Sequence, residues 1–182
     1  MDFSCRIVRS RRKTVAIHIT SAGEVELRCP LGFPARECGA IIESKRSWIE
    51  KQLIRRQQVG QLPSFTAREI QEMKKAVLPV LKERTDFYAP AIGVTYEKIT
   101  VRSQRTRWGS CSRSGNLSFN CLLAQVPERV LNYVVVHELC HRKHMNHSPA
   151  FWTEVERVLP DYRISRKWLT ANGGFLIGRL SK

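Results

Sequence analysis

The sequence predicts an α+β fold, because strand-like and helix-like segments are grouped separately along the chain. Apolar and polar residues alternate over 14–20 and over 24–29, which is the two-residue period of a half-buried strand. Apolar residues instead recur every three to four positions over 41–53 and over 130–139, which is the period of a helix with one buried face. Segregation of the two kinds of element favours α+β over an alternating α/β arrangement.

The length and composition fit one compact domain. The chain has 182 residues, of which 42% are hydrophobic, enough to form a buried core. We expect a single domain over 1–182, with a β-rich and helical part at 1–62 and a second part at 63–182. A plausible linker lies at 60–64, where Gly, Pro and Ser interrupt the apolar periodicity.

The first part is predicted to be a small β unit followed by a helix. The alternating segments 14–20 and 24–29 are close enough to form a hairpin. Residues 3–9 add a further candidate strand. The helical periodicity then runs over 41–53.

The second part contains four predicted helices and two predicted strands. Thr66 followed by Glu69 forms a capping box, which opens a helix to about residue 88. Strands are predicted over 94–101 and 117–121, and helices over 127–144 and from Ser148 onward. Asp161 begins a last short helix, which Asn172 and the two following glycines are expected to end.

The charge balance is strongly basic. The chain has 31 Lys and Arg against 16 Asp and Glu, a formal net charge of +15. Such a charge attracts polyanions, so nucleic acid, nucleotides or an acidic protein are natural partners. The basic residues are spread along the chain, and a generally basic surface without a binding patch is the alternative.

The cysteines and the apolar segments predict a cytoplasmic protein without a membrane span. Six cysteines are present and none forms a CxxC pair. Residues 1–13 are rich in arginine and contain no apolar stretch of signal-peptide length. No apolar stretch is long enough to cross a bilayer. Free thiols in a reducing compartment are therefore expected.

A metal-binding motif lies on the helix predicted over 127–144. His137 and His141 are four residues apart, so their rings face the same side about one turn apart and can share one ion. Glu138 lies beside them without being needed as a ligand, which is the arrangement of the HExxH zinc motif. A pair of surface histidines on an ordinary helix is the alternative.

A third zinc ligand is expected, and His147 is the favoured candidate. It follows His141 by six residues, the ligand spacing of an extended HExxH motif, although His144 replaces the glycine of that motif. His144 competes as third ligand, because it follows His141 by three residues and faces partly the same side. Glu154 and Glu156 are weaker candidates, as ligands or as carboxylates that orient ligands.

Three protein ligands leave the fourth zinc position for water, which makes the motif hydrolytic. Zinc lowers the pKa of such a water toward ~7 and polarises the electrophile. Glu138 is predicted to be the general base that takes its proton. This chemistry suits an amide carbonyl and also a phosphoanhydride.

Residues 105–112 form a second unusual segment, Arg-Thr-Arg-Trp-Gly-Ser-Cys-Ser. Arg105 or Arg107 can stabilise a developing oxyanion or bind a phosphate. A structural β-turn with surface arginines is the alternative. Tyr162 is a candidate donor to a tetrahedral intermediate, or else a core residue.

The chain resembles the YgjP-like metallopeptidase domain family, which is related to the SprT-like and WLM zinc metallopeptidases. The resemblance rests on residues 137–141, 146–148, 151–152 and 160–162, with further matches at 105–112, Asn120, 9–13 and 48–49. It implies a zincin-like core over 63–182, in which the HExxH helix packs against a small antiparallel sheet, with His137, His141 and His147 as zinc ligands and Glu138 as catalyst. It also implies a metallopeptidase, and relatives linked to nucleoside triphosphate pyrophosphohydrolysis keep phosphate chemistry open.

Three functions follow from these observations. The first is a cytoplasmic zinc metallopeptidase acting on a protein or peptide. The second is a metal-dependent nucleoside triphosphate pyrophosphatase, which the arginines and the +15 charge would suit. The third is a nucleic-acid-associated protein with a structural zinc site, which would need a fourth ligand.

Overall fold

The computed structural model describes residues 3–20, 23–61 and 63–180. The chain divides into two compact units, Met1–Leu62 and Pro63–Lys182. Both contain helices and small sheets, so the fold is mixed α+β as predicted. Within the described ranges, no helix combines the length and the apolar character that a membrane span requires.

The first unit contains a three-stranded sheet and two helices. Strands β1 (Cys5–Ser10), β2 (Ala16–Ile19) and β3 (Val25–Pro30) have the order β1-β3-β2. Strands β2 and β3 are antiparallel, as the alternating pattern predicted, whereas β1 is parallel to β3. Leu27, Cys29 and Cys38 form a small buried core.

The helical part of this unit differs from the prediction. Helices α1 (Ala35–Ser44) and α2 (Arg46–Gln61) replace the single helix expected over 41–53. The linker predicted at 60–64 is wrong at its start, because α2 continues through Gly60 and Gln61. Leu62 of that linker lies outside the described residues.

The second unit carries a second three-stranded sheet and four α-helices within its described residues. In chain order its elements are α3 (Ala67–Ile92), β4 (Ile99–Arg102), β5 (Gly109–Cys111), β6 (Leu117–Asn120), a 3₁₀ helix (Cys121–Gln125), α4 (Glu128–Cys140), α5 (Pro149–Val158) and α6 (Tyr162–Gly178). The expected capping box begins α3, since the Thr66 hydroxyl accepts from Glu69 N at 3.2 Å and the Glu69 carboxylate accepts from Thr66 N at 2.7 Å.

The sheet of the second unit is mixed, so the prediction of an antiparallel sheet beside the HExxH helix is wrong. Its order is β4-β6-β5. Strand β5 forms an antiparallel hairpin with β6, whereas β4 is parallel to β6 on the other side. The reason is β5 itself, a three-residue strand that the alternation pattern did not predict and that occupies the hairpin position.

Helix α6 is longer than predicted. It runs from Tyr162 to Gly178, through Asn172 and both following glycines, which therefore do not end it. At Gly173 a Cβ atom would lie 3.0 Å from Nε1 of Trp108. Glycine is thus present there because an indole packs against the helix, and not because the helix stops.

Helix α4 lies at the centre of the second unit. It packs against α3, α5, α6 and the edge strand β5. Its residues Val135, Val136 and Leu139 are fully buried and belong to the main core, together with Phe119 of β6. Burial of these faces fixes the orientation of α4, and hence the direction in which its polar residues point.

Candidate metal centre

Helix α4 presents two histidines and a glutamate at its C-terminal end. His137 and Glu138 lie in its last turn, and His141 is its C-terminal cap. The helix ends earlier than the predicted residue 144, and turns over 141–143 begin the segment that leads to α5. This early end leaves room for the chain to return to the same side of the helix.

His147 returns to the two helix histidines. One ring nitrogen from each of His137, His141 and His147 lies within 4.8 Å of the others. The three ring centroids are 4.9 Å apart in every pair, and Nε2 of His147 is 3.0 Å from Nε2 of His137. Zinc–nitrogen bonds of about 2.0–2.1 Å allow one ion to bridge nitrogens at such separations.

His144 contributes its backbone to this centre. Its carbonyl oxygen accepts from Nδ1 of His141 at 2.9 Å. A hydrogen bond at Nδ1 leaves the lone pair of Nε2 free, which is how metal-binding histidines are commonly oriented. The His144 ring is not in the three-histidine cluster.

The surroundings of His137 and His141 favour neutral imidazoles. Burial lowers the pKa of His137 to about 3, with further contributions from His141, His147 and Arg166. Burial is also the main cause of the lowered pKa of His141. Neutral imidazole is the form that coordinates zinc, so the donor set fits this metal.

Glu138 is buried beside the histidines and is only 5% exposed. Among the residues that the structure describes, it has no hydrogen-bond or ion-pair partner. Burial raises the pKa of Glu138 to about 8, and the positive charge of Arg107 opposes this rise. A carboxyl group with a pKa near neutrality can both take up and release a proton.

The edge strand β5 packs directly on Glu138. A Cβ atom at Gly109 would lie 2.6 Å from Oε1 and 2.7 Å from Cγ of Glu138. No other residue type fits this position without displacing the carboxyl group. The unusual segment at 105–112 therefore forms one wall of the candidate site.

Asn120 holds the loop that precedes β5. Its fully buried amide donates from Nδ2 to the carbonyl oxygens of Gln104 at 2.6 Å and Arg107 at 2.9 Å, and its Oδ1 accepts from Leu122 N at 3.1 Å. Its backbone N–H donates to Trp108 O at 2.9 Å. These bonds fix both ends of the short loop that carries Arg105 and Arg107.

The structure separates the two candidate arginines. Both are exposed, but only Arg107 is close enough to influence the charge of Glu138. No contact connects Arg105 with Glu138 or the histidines within the described part of the chain. Arg107 is therefore the one that the fold brings to the site.

Tyr162 lies behind the site. It is 4% exposed and stacks on Trp152 at 5.5 Å and on Tyr133 at 6.2 Å between ring centroids. Trp152 in turn stacks on His147 at 5.6 Å. Tyr162 thus contacts the ligands only through other aromatic rings, which corresponds to the core role considered for it.

Glu154 and Glu156 are engaged elsewhere. The Glu154 carboxylate accepts from Lys143 at 2.9 Å and from Arg157 at 2.8 Å, and Glu156 pairs with Arg163. Neither belongs to the histidine cluster. The Lys143–Glu154 pair instead attaches the turn after α4 to α5, on either side of His147.

Three residues near the site were not predicted from sequence patterns. Gly109 and Trp152 belong to the segments 105–112 and 151–152 that carry the family resemblance but had no role of their own, and Arg166 was one of many basic residues. Gly109 directly after Trp108 was the sole local indication, since glycine beside a large ring is common at close contacts. The other two depend on how α5 and α6 pack.

Comparison with known proteins gives a family and two distant structural likenesses. The family model described as YgjP-like, metallopeptidase domain matches residues 13–73 and 63–172. No curated protein matches the sequence. The zymogen of Pyrococcus abyssi abylysin, a metallopeptidase, is 22% identical with a TM-score of 0.46, covering 50% of this chain and 93% of that chain. The zymogen of Methanocaldococcus jannaschii jannalysin, also a metallopeptidase, is 18% identical with a TM-score of 0.42, covering 50% and 96%.

The family match spans both units and includes every residue of the three-histidine cluster. It confirms the resemblance that the sequence motifs carried. The chain belongs to the YgjP-like metallopeptidase domain family.

Proposed function

We propose that this chain is a zinc-dependent peptidase in which His137, His141 and His147 hold the metal. The convergence of three imidazoles beside a buried glutamate carries this proposal. Membership of a metallopeptidase family supports the same activity. The three-ligand set also leaves coordination positions for substrate and water, as catalytic zinc sites do.

Zinc in such a site supplies Lewis-acid chemistry toward a scissile carbonyl. Glu138 accepts a proton from the attacking water on a carboxylate oxygen and then donates it to the leaving amine. Burial favours its neutral form, which promotes the second transfer, whereas Arg107 favours the charged form needed for the first. A divalent cation at the histidines would favour the charged form further.

Arg107 has a separate role in the proposal. It belongs to the loop that Asn120 holds, and its positive charge acts on Glu138. A cation at this position stabilises negative charge that develops on the carbonyl oxygen. Arg105, which has no such contact within the described residues, is expected to matter less.

The proposal is tested by metal content and hydrolysis of unfolded casein in matched variants. Glu138→Gln should retain stoichiometric zinc and lose nearly all hydrolysis. His147→Ala should lose zinc, whereas His144→Ala should retain it, because His144 acts through its carbonyl oxygen. Full hydrolysis by Glu138→Gln, or normal zinc in His147→Ala, would contradict the proposal.

A nucleoside triphosphate pyrophosphatase is the second candidate. The observation that favours it is the exposed Arg107, which acts on Glu138 and has no ion pair with any described residue. The same metal and base could act on a phosphoanhydride. Wild-type and Glu138→Gln protein should therefore also be compared on a panel of nucleoside triphosphates. If wild-type protein hydrolyses a nucleotide that Glu138→Gln does not, and wild type does not hydrolyse casein, the pyrophosphatase replaces the peptidase as the proposed function.

A cytoplasmic location and a polyanionic partner remain part of the proposal. All six cysteines are free thiols, which supports a reducing compartment. The net charge of +15 supports association with nucleic acid or an acidic protein. A purely structural zinc site has less support, because the His144 ring does not join the cluster as a fourth ligand.

A further inference from the structure

Arg166 lies at the edge of the candidate metal centre, against Trp152. Its Cζ atom is 4.5 Å from the centroid of the indole ring. The same indole stacks on His147, with ring centroids 5.6 Å apart and planes inclined by 23°, and lies 5.9 Å from the His137 ring. A single aromatic side chain therefore contacts both this cation and two of the candidate metal ligands.

The charge of Arg166 has no carboxylate partner in the part of the chain that the structure describes. Nearby arginines on α5 and α6 have carboxylate partners: Arg157 pairs with Glu154, and Arg163 with Glu156. Arg166 has no ion pair over the ranges that the structure describes, and it is exposed. A cation beside a hydrolytic centre, without an internal partner, is available to a substrate.

The N–H donors of the Arg166 guanidinium form no hydrogen bond within the described ranges. These donors lie in the plane of the guanidinium, in a fixed fork geometry. Those donors match the two oxygens of a carboxylate in a bidentate pair. Packing on the ring also restricts the long side chain before a ligand binds, which lowers the entropic cost of binding.

We propose that Arg166, held against Trp152, binds a carboxylate of the substrate close to the scissile bond. This inference rests on the proposed peptidase function and adds a substrate class to it. The preferred substrate is a peptide with an acidic side chain, or a free C-terminal carboxylate, on the side of the cleavage site that faces α5 and α6.

Binding to the zinc-loaded full chain carrying Glu138→Gln tests the site without turnover. A single Glu is moved along an uncharged hexapeptide with blocked ends, each peptide has a Gln twin, and one further peptide has a free C-terminal carboxylate. Calorimetry at constant ionic strength should find one carboxylate position that binds about tenfold more tightly than its uncharged twin, as expected for a charge-assisted hydrogen bond.

The matched variants are Arg166→Met and Lys167→Met in the same background. Both remove one positive charge from exposed positions of α6. Of these two cations, Arg166 is the one that contacts Trp152. Arg166→Met should abolish the tenfold preference and Lys167→Met should retain it. A preference that survives Arg166→Met, or no preference at any position, overturns the inference.

Cleavage-site mapping separates this inference from the proposed function. Wild-type protein incubated with a proteome-derived peptide mixture should cut next to acidic residues or C-terminal carboxylates, and Arg166→Glu should instead prefer basic residues. Cleavage without an acidic preference overturns the Arg166 site alone. If wild-type protein cleaves no peptide but calorimetry still finds the preference for one carboxylate position, the proposed peptidase function is overturned and the carboxylate site at Arg166 is supported. A nucleoside triphosphate could instead bind more tightly than any acidic peptide and lose this affinity in Arg166→Met. That result would show that Arg166 binds a phosphate and would overturn the proposed carboxylate ligand.

Discussion

At position 109 the missing side chain leaves the space that the carboxyl group of Glu138 occupies. The backbone there does not require glycine, since the positive-φ glycines of the described residues are Gly23, Gly93 and Gly115. Glycine is needed at position 109 only because a side chain there would overlap the carboxyl group of Glu138. The position of the proposed base thus depends on a residue of another element that has no reactive group.

We predict that Gly109→Ala retains zinc but loses activity by about 100-fold, because displacing a catalytic group by about 1 Å costs roughly that factor. Zinc content and kcat/KM on the casein substrate measure the two effects. Gly174→Ala is the matched control, since nothing lies within 4 Å of a Cβ atom there. Equal activity of Gly109→Ala and wild type would show that the position of Glu138 does not limit catalysis.

Among the elements, the loop before β5 is held by hydrogen bonds from one buried side chain, that of Asn120. Asn120 is fully buried and uses both its amide nitrogen and its amide oxygen. It connects β6 to the segment that carries Arg107 and leads to Gly109. Its contribution to the site is therefore the position of these two residues.

We predict that Asn120→Asp destabilises the fold by about 2 kcal/mol or more, because the two carbonyl oxygens lose their donor and a carboxyl group is buried. Urea unfolding measures this change. Asn116→Asp is the comparison, since the Asn116 side chain bonds only to Ser114 in an exposed turn. A similar free energy of unfolding for the two variants would contradict the role given to Asn120.

The ion pairs of Glu154 predict a pH-dependent contribution of α5. The hydrogen bond from Arg157 is the largest cause that lowers the pKa of Glu154 to about 2, and the bond from Lys143 adds to it. A carboxyl group whose pKa is depressed in the folded state stabilises the fold above its unfolded pKa, and loses that effect as the pH falls toward the folded value.

We therefore expect Glu154→Gln to lower the Tm of metal-free protein at pH 7, and the difference from wild type to vanish between about pH 5 and pH 2. Thermal unfolding followed by circular dichroism gives both values. Glu156→Gln, which removes a more exposed ion pair with Arg163, should change the Tm little at either pH. A difference for Glu154→Gln that stays constant with pH would rule out this linkage.

Local patterns predicted the features that depend on few neighbours. The spacing of His137 and His141, the capping box at Thr66 and the β2–β3 hairpin are set by adjacent residues, and each is present. Strand β5 and the length of α6 were not predicted, because three residues are too few for a period and because Gly173 responds to a tryptophan 65 positions away. The convergence of His147 was predicted from spacing, whereas the contacts of Arg166 depend on packing between helices.

At the scale of the whole molecule, the three histidines, Glu138 and the main core all belong to Pro63–Lys182. The unit Met1–Leu62 has its own smaller core. A unit with its own core can fold independently. The single domain expected over 1–182 therefore remains a prediction that a fragment can test.

We predict that the fragment 63–182 unfolds cooperatively and binds one zinc ion per chain, because it contains its own core and all proposed ligands. Circular dichroism and metal analysis measure the two properties. The same fragment with His147→Ala controls for adventitious zinc. A fragment that is unfolded, or that binds no zinc, would show that 1–62 completes the fold.

Helix α6 contacts two tryptophans that belong to different segments of the candidate site. Arg166 meets Trp152 near its start, and Gly173 meets Trp108 seven residues later. A rise of 1.5 Å per residue separates these two points by about 10 Å along the axis. The distance between the two tryptophan contacts along α6 is therefore set by the number of helical residues between Arg166 and Gly173. Lengthening α6 by one residue between these points would rotate one tryptophan contact by about 100° relative to the other.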